Sequence, residues 1–164
     1  MASRGVHFAI KQEEYEKLIV INSDEELINF IQENFEEKWE EEWLHETDKA
    51  WDAIHRSLTD GKLEWDNGKF PLKETIIGGQ NLYKGDYYIV SVVTPEKVPI
   101  VAEALKKIDK NTLKQGYYKI DRDTYEGEIG EEDFEYTWGW FEGLSQLFNK
   151  ASLEGRVVIF TVDL

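Results

Sequence analysis

Val6, Phe8 and Ile10 alternate with Gly5, His7 and Ala9, a period of two that predicts a first strand over residues 5–10, half buried against a core. Residues 13–18 then read as a brief helix, and Ser23 with Glu26 three positions on is a capping box that opens a much longer one. Along that helix Leu27, Ile31, Phe35, Trp39 and Trp43 recur every fourth residue, laying one slowly turning apolar stripe on an amphipathic rod. Its other faces are acidic, carrying Glu33, Glu36, Glu37, Glu40, Glu41, Glu42 and Glu46. Thr47 or Asp48 is placed to cap a following helix that turns Ala50, Trp51, Ile54 and Leu58 inward and ends at Asp60-Gly61. The two helices predict a hairpin.

Asp66-Asn67-Gly68 is a turn signal, and residues 71–77 predict a short helix that breaks at Gly78-Gly79. Residues 87–93 are β-branched and aromatic without polar alternation, the pattern of an interior strand buried on both faces. Thr94-Pro95 starts a helix running to about Ile108, with a hydroxyl at the cap and proline where its missing N–H costs nothing. Residues 111–118 suggest a last helical turn leading into packed aromatics, and residues 121–130 a charged loop of low order. From Glu131 to about Leu153 the period is helical again, with Phe134, Trp138, Phe141, Leu144, Leu147, Phe148 and Ala151 inward. Gly155 caps it, and residues 157–162 form another interior strand.

A chain of 164 residues, 41% hydrophobic and 13% aromatic, is the size of one domain with a substantial core, and the interleaved elements predict an α+β or mixed α/β fold. Thirty-four acidic against 19 basic side chains give a formal charge of -15, which would repel a phosphate backbone and argues against nucleic acid as a partner. The same field favours encounter with a basic protein surface. Without cysteine there are no disulfides, thiolate nucleophiles or cysteine zinc sites, which fits a reducing compartment. The opening Met-Ala-Ser-Arg-Gly-Val-His lacks the apolar core of a signal peptide, and no apolar run is long enough to span a bilayer. A cytoplasmic protein with no membrane partner is expected.

Three stretches carry a resemblance. They are Ser3-Arg-Gly-Val-His7; Asp48-Lys-Ala-Trp-Asp-Ala-Ile-His55 running on to Gly61; and Glu131 to Glu142 with its Phe-Glu-Tyr-Thr-Trp-Gly-Trp-Phe run, continuing to Val157-Val-Ile-Phe-Thr-Val-Asp163. Together with Gly78-Gly79 and Thr94-Pro95 they make the chain similar to the YfbM-like family of small bacterial proteins, a domain family of unknown function. The resemblance implies a single α+β domain over residues 1–164, with a small mixed sheet whose interior strands lie near 5–10, 87–93 and 157–162, packed by several helices. It names a fold more firmly than a job. Some proteins that look like this family lie beside bacterial toxins, so an immunity-type inhibitor is among the functions it implies.

Two functional expectations follow. The first is a non-enzymatic acidic protein that binds a basic protein partner such as a toxin through Glu36, Glu37, Glu40 and Glu41, with Trp39 and Trp43 as exposed anchors. The second is a small-molecule or hydrolytic site. Helical spacing places Asp48, Asp52, His55 and Thr59 on one flank beside Trp51, so His55 could act as a general base oriented by a carboxylate, with Arg4, Tyr118 and Trp138 completing a polar-aromatic pocket. A histidine in a last helical turn is equally suited to meeting the negative end of the helix dipole. No Gly-x-Ser-x-Gly elbow, phosphate-binding glycine motif or His-Glu-x-x-His spacing is present, so no catalytic residue, metal or cofactor is assigned. Gly139 and Gly143, four apart in one helix, each cost about 1 kcal/mol against alanine, which points to something approaching the backbone closely there.

Overall fold

Val157–Asp163 (β5) is apolar on both sides and runs through the middle of a five-stranded sheet, between Gly5–Ile10 (β1) and Tyr88–Val93 (β4). Leu44–Asp48 (β2) pairs outside β1, and the two-residue Gln80–Asn81 (β3) pairs outside β4. The computed structural model describes residues 3–164; Met1 and Ala2, which begin the stretch lacking a signal-peptide core, lie outside them. The α+β architecture stands, with the three interior strands where the pattern placed them. The sheet differs from the mixed one expected: all four pairings are antiparallel. β1 is also buried on both faces rather than one, because strands flank it on each side and helices cover both faces.

Those covers differ. Gln12–Leu18 (α1), Asp24–Ile31 (α2) and the turn after it close one face over Phe8, Ile10, Val90, Val92, Val157 and Ile159. Trp51–Leu58 (α3), Val98–Lys106 (α4), Lys110–Tyr117 (α5) and Glu131–Leu153 (α6) close the other over Ala9, Val93, Val158, Phe160 and Val162. On this second side His7 is fully buried, its ring centroid 4.8 Å from that of Phe160, and its Nε2 donates to the Thr75 carbonyl at 2.8 Å. The element over 111–118 is a complete helix, and residues 71–77 contain only the short 3-10 turn Leu72–Glu74.

The acidic rod is where expectation and structure part. Ser23 does cap α2, its Oγ accepting the Glu26 N–H at 3.1 Å. The helix then widens into a π turn over Gln32–Glu36, with Glu37 N–H bonding the Gln32 carbonyl at 2.8 Å, and Trp39 takes a left-handed conformation with φ 44°. A run of glutamates one turn apart repels itself, and the residues after it gain more by pairing with β1 than by continuing a helix. Leu44 to Asp48 therefore form a strand, in register with Gly5 to Phe8. Neither Thr47 nor Asp48 caps α3: its first turn follows Ala50 without a side-chain cap, and the Thr47 hydroxyl bonds the Gly5 carbonyl instead.

The glycine pair in α6 resolves unequally. At Gly143 a Cβ would overlap the ring of His45, which lies across the helix with Nε2 donating to the Trp140 carbonyl at 2.6 Å; at Gly139 there is open space. Gly139→Ala is therefore expected to stabilise the protein by about 0.5–1 kcal/mol, and Gly143→Ala to destabilise it. Urea midpoints of the two variants compare them directly, and equal shifts would contradict the close approach of His45.

Candidate functional site

Acidic residues are favoured in first helical turns, where they meet the positive end of the dipole. α3 and α6 both begin that way, with Asp52 in one and Glu131, Glu132 and Asp133 in the other. The two N-terminal ends open on a common groove of about 550 Å³, walled by Asp48, Asp52, Glu126 and Asp133 and by the rings of Trp51, Tyr125 and Tyr136. Lys49 is the one basic residue lining it among those described. Its outer wall is the 121–130 loop, which supplies Tyr125, Glu126 and Gly127.

Three of the four carboxylates, those of Asp133, Asp48 and Asp52, are held in place by donors behind them. Asp133 Oδ2 accepts the hydroxyls of both Tyr117 and Tyr125, each at 2.7 Å. Burial first, and then the bond to Asp133, pushes both phenols well above the ordinary tyrosine range, so both remain donors. Asp48, in a left-handed conformation with φ 45°, accepts the Tyr136 hydroxyl at 2.7 Å. That phenol is pushed up to about 12 by burial and by the carboxylate. Asp52 Oδ1 accepts Arg56 Nε at 2.5 Å. Trp51 is 6% exposed, its Nε1 donating to the Ser3 carbonyl at 3.0 Å. The result is an acidic, aromatic-walled cleft suited to an ammonium or guanidinium group, which carboxylates pair with and ring faces attract.

Of the residues singled out in the sequence, Asp48, Trp51 and Asp52 line this groove. Arg4 meets Asp48 at 3.3 Å from outside, with its side chain 75% exposed. His55 is elsewhere: it is buried, its Nε2 donating to Asn67 Oδ1 at 2.7 Å, and burial lowers its pKa despite that bond. Asn67 is itself fixed by donating to Thr59, Asp60 and the Lys62 carbonyl, so His55 belongs to a structural network that ties the end of α3 to the following turn. Tyr118 lies against Tyr117, and Trp138 packs on Phe141. Neither lines the groove.

The acidic segment is also built differently from expectation. Glu37, Glu40 and Glu41 are exposed and Glu36 is half-buried, its carboxyl raised by burial and by the nearby Asp163. Its two indoles, expected as exposed anchors, are both partly buried and engaged within the chain. Trp39 packs edge-on to Phe8 with centroids 6.2 Å apart, and Trp43 carries the Arg156 guanidinium 3.6 Å from its centroid and Lys150 Nζ at 4.2 Å. The chain's own cations thus cover the ring that was to receive a partner's.

Among the described residues no three His, Asp or Glu side chains gather as a metal-binding set, and no helix is long and apolar enough to cross a membrane. The family model described as a domain of unknown function (DUF1877) matches residues 1–161. No curated protein gives a significant match. Among solved structures, one described as the crystal structure of a protein of unknown function, YfbM from Escherichia coli, is similar with a TM-score of 0.72 and 18% identity, covering 99% of each chain.

Proposed function

The chain belongs to the DUF1877 family, and from that premise we propose that it is a non-enzymatic acidic binding protein whose groove at the head of α3 and α6 receives a cationic group from a basic protein partner. The observation that carries this reading is the groove's lining of four carboxylates and three aromatic rings with one ammonium, Arg4 and Arg56 meeting Asp48 and Asp52 from outside the lining. A toxin held by an immunity-type inhibitor is the kind of basic partner meant. The reducing cytoplasm is the setting proposed, in keeping with the absence of cysteine. The charge of -15 steers such a partner inward over longer range, and the groove selects the group that docks. A hydrolytic reading has less support, because His55 is engaged with Asn67 away from the groove.

Calorimetry with hexa-arginine, and with hexa-glutamate as control, tests it. Hexa-arginine is expected to bind at about 0.05 M salt and to weaken steeply toward about 0.3 M. Glu126→Lys should reduce that affinity about tenfold or more, while the double change Glu40→Lys and Glu41→Lys should act only through the general field. Equal binding by wild type and Glu126→Lys would remove the groove as the site. Loss confined to the Glu40 and Glu41 variant would move the site to the acidic segment.

A further inference from the structure

Arg56 is the one strongly basic side chain in α3, and it is only 3% exposed. A guanidinium has five N–H donors, and burying it requires that they be met. Its Nε donates to Asp52 Oδ1 at 2.5 Å, Nη1 to the Thr124 hydroxyl at 2.9 Å and the Gly61 carbonyl at 3.3 Å, and Nη2 to the Thr124 carbonyl at 3.3 Å. The guanidinium carbon also lies 5.5 Å from the centre of the Tyr125 ring. Apart from Gly61, each of these partners belongs to a groove wall or is its neighbour in the chain.

The 121–130 loop has further fastenings at its two ends and at Tyr125. Asp121 N–H bonds the Gly61 carbonyl at 3.0 Å, Gly130 N–H bonds the Tyr117 hydroxyl at 3.1 Å, and the Tyr125 hydroxyl reaches Asp133. Between those ends, Arg56 supplies hydrogen bonds that join the loop to α3. It presents Asp52 on one side and Tyr125 on the other, yet it does not line the groove itself.

We propose that Arg56 is the positioning residue of the groove, a buried latch that holds the 121–130 strap against α3 and sets the separation of the Asp52 and Tyr125 walls. The inference rests on the groove being the cation-binding site, and it explains how a surface loop can form one side of it. The latch also shows the chemistry the site accepts, since Arg56 occupies from the inside the same carboxylate and ring that an arriving cation would meet from the outside.

The test separates latch from ligand. Hydrogen exchange of the peptide-free protein reads the strap, and calorimetry with hexa-arginine reads the site. In Arg56→Met the amides of residues 121–130 are expected to exchange about tenfold faster or more, as loss of hydrogen bonds to a charged group implies, while those of β5 and the middle of α6 stay protected. Hexa-arginine affinity should fall by a similar factor, and the protection that the peptide confers on Tyr125 to Gly127 in wild type should disappear. Arg56→Lys, which keeps the charge but not the fork, should behave like Arg56→Met. Unchanged exchange in the strap, or a loosened strap with undiminished affinity, overturns the proposal, as does a uniform rise in exchange across the whole chain. Should Arg56→Met fail to fold, Thr124→Val, which removes one latch bond together with the hydroxyl's bond to Asp121, is compared with the same change made in Arg56→Lys: a smaller rise in strap exchange in the second background supports the latch, and equal rises overturn it. If wild type itself does not bind hexa-arginine, the binding reading fails and the positioning role falls with it.

Discussion

Phe160→Ala is expected to lower stability by about 3–5 kcal/mol, the cost of removing a large ring from a site that cannot collapse around the loss. Phe160 is 1% exposed on the central strand, with its ring 4.8 Å from His7 and 5.8 Å from Trp51, centroid to centroid. Gly5, two residues along β1 from His7, the register partner of Phe160, leaves the space that the ring fills: a Cβ there would lie 2.6 Å from the nearest ring carbon. Truncation therefore empties a volume bounded by backbone and by two other rings. Because one of those rings is Trp51, the variant should also weaken the groove, and guanidinium denaturation with an unchanged slope would isolate the stability term. A loss below about 1 kcal/mol would mean that Trp51 and His7 move inward to refill the site.

Acid should weaken the fold well before the surface carboxylates are neutralised. Burial is the main reason that the His7 pKa lies at about 3 rather than 6.5, outweighing the bond to Thr75, which acts in the opposite direction; the nearby His45 adds a smaller lowering. Between those two values the unfolded chain binds a proton at this residue and the folded chain does not, so stability falls as pH falls, by up to about 1.4 kcal/mol per pH unit from this group. His55, also lowered by burial, contributes in the same direction. Urea unfolding from pH 7 to 4 should show the decline, and His7→Gln, whose amide can still donate to the Thr75 carbonyl, should flatten it. Parallel curves for wild type and variant would reject His7 as its source; should the variant not fold, an imidazole that takes up its proton near pH 6 in the folded wild type would do the same.

Where local pattern and tertiary demand coincide, the sequence was a sufficient guide. α6 keeps its apolar face for 23 residues and ends at Gly155, which adopts φ 65° as a helix-terminating glycine does. The interior strands were legible because continuous β-branched runs have few alternatives. β2 was not, since nothing in Leu-His-Glu-Thr-Asp favours a strand except the presence of β1 beside it. An unbroken four-residue period across Leu27 to Trp43 concealed the break, which the acidic run and the gain from pairing explain. The site shows the same division. Asp48 and Trp51 were readable from local spacing, and Asp52 with Arg56 is an ordinary one-turn ion pair that could have been noticed. Tyr125, Asp133 and Tyr136 meet the end of α3 only through contacts spanning many residues, and a charged loop offers no local sign that a single internal arginine orders it.

Both outermost strands end up as poor templates for another chain. β3 offers only Gln80 and Asn81, while β2 is irregular in its register with β1 near Gly5 and turns out of extended conformation at Asp48. Strand addition from a second copy would find too few consecutive unpaired amides on one margin and a bent, glutamate-bearing ribbon on the other. A sheet this rich in valine and isoleucine can therefore sit in a crowded solution without seeding fibrils from its rims, so long as the helices keep its two broad faces covered.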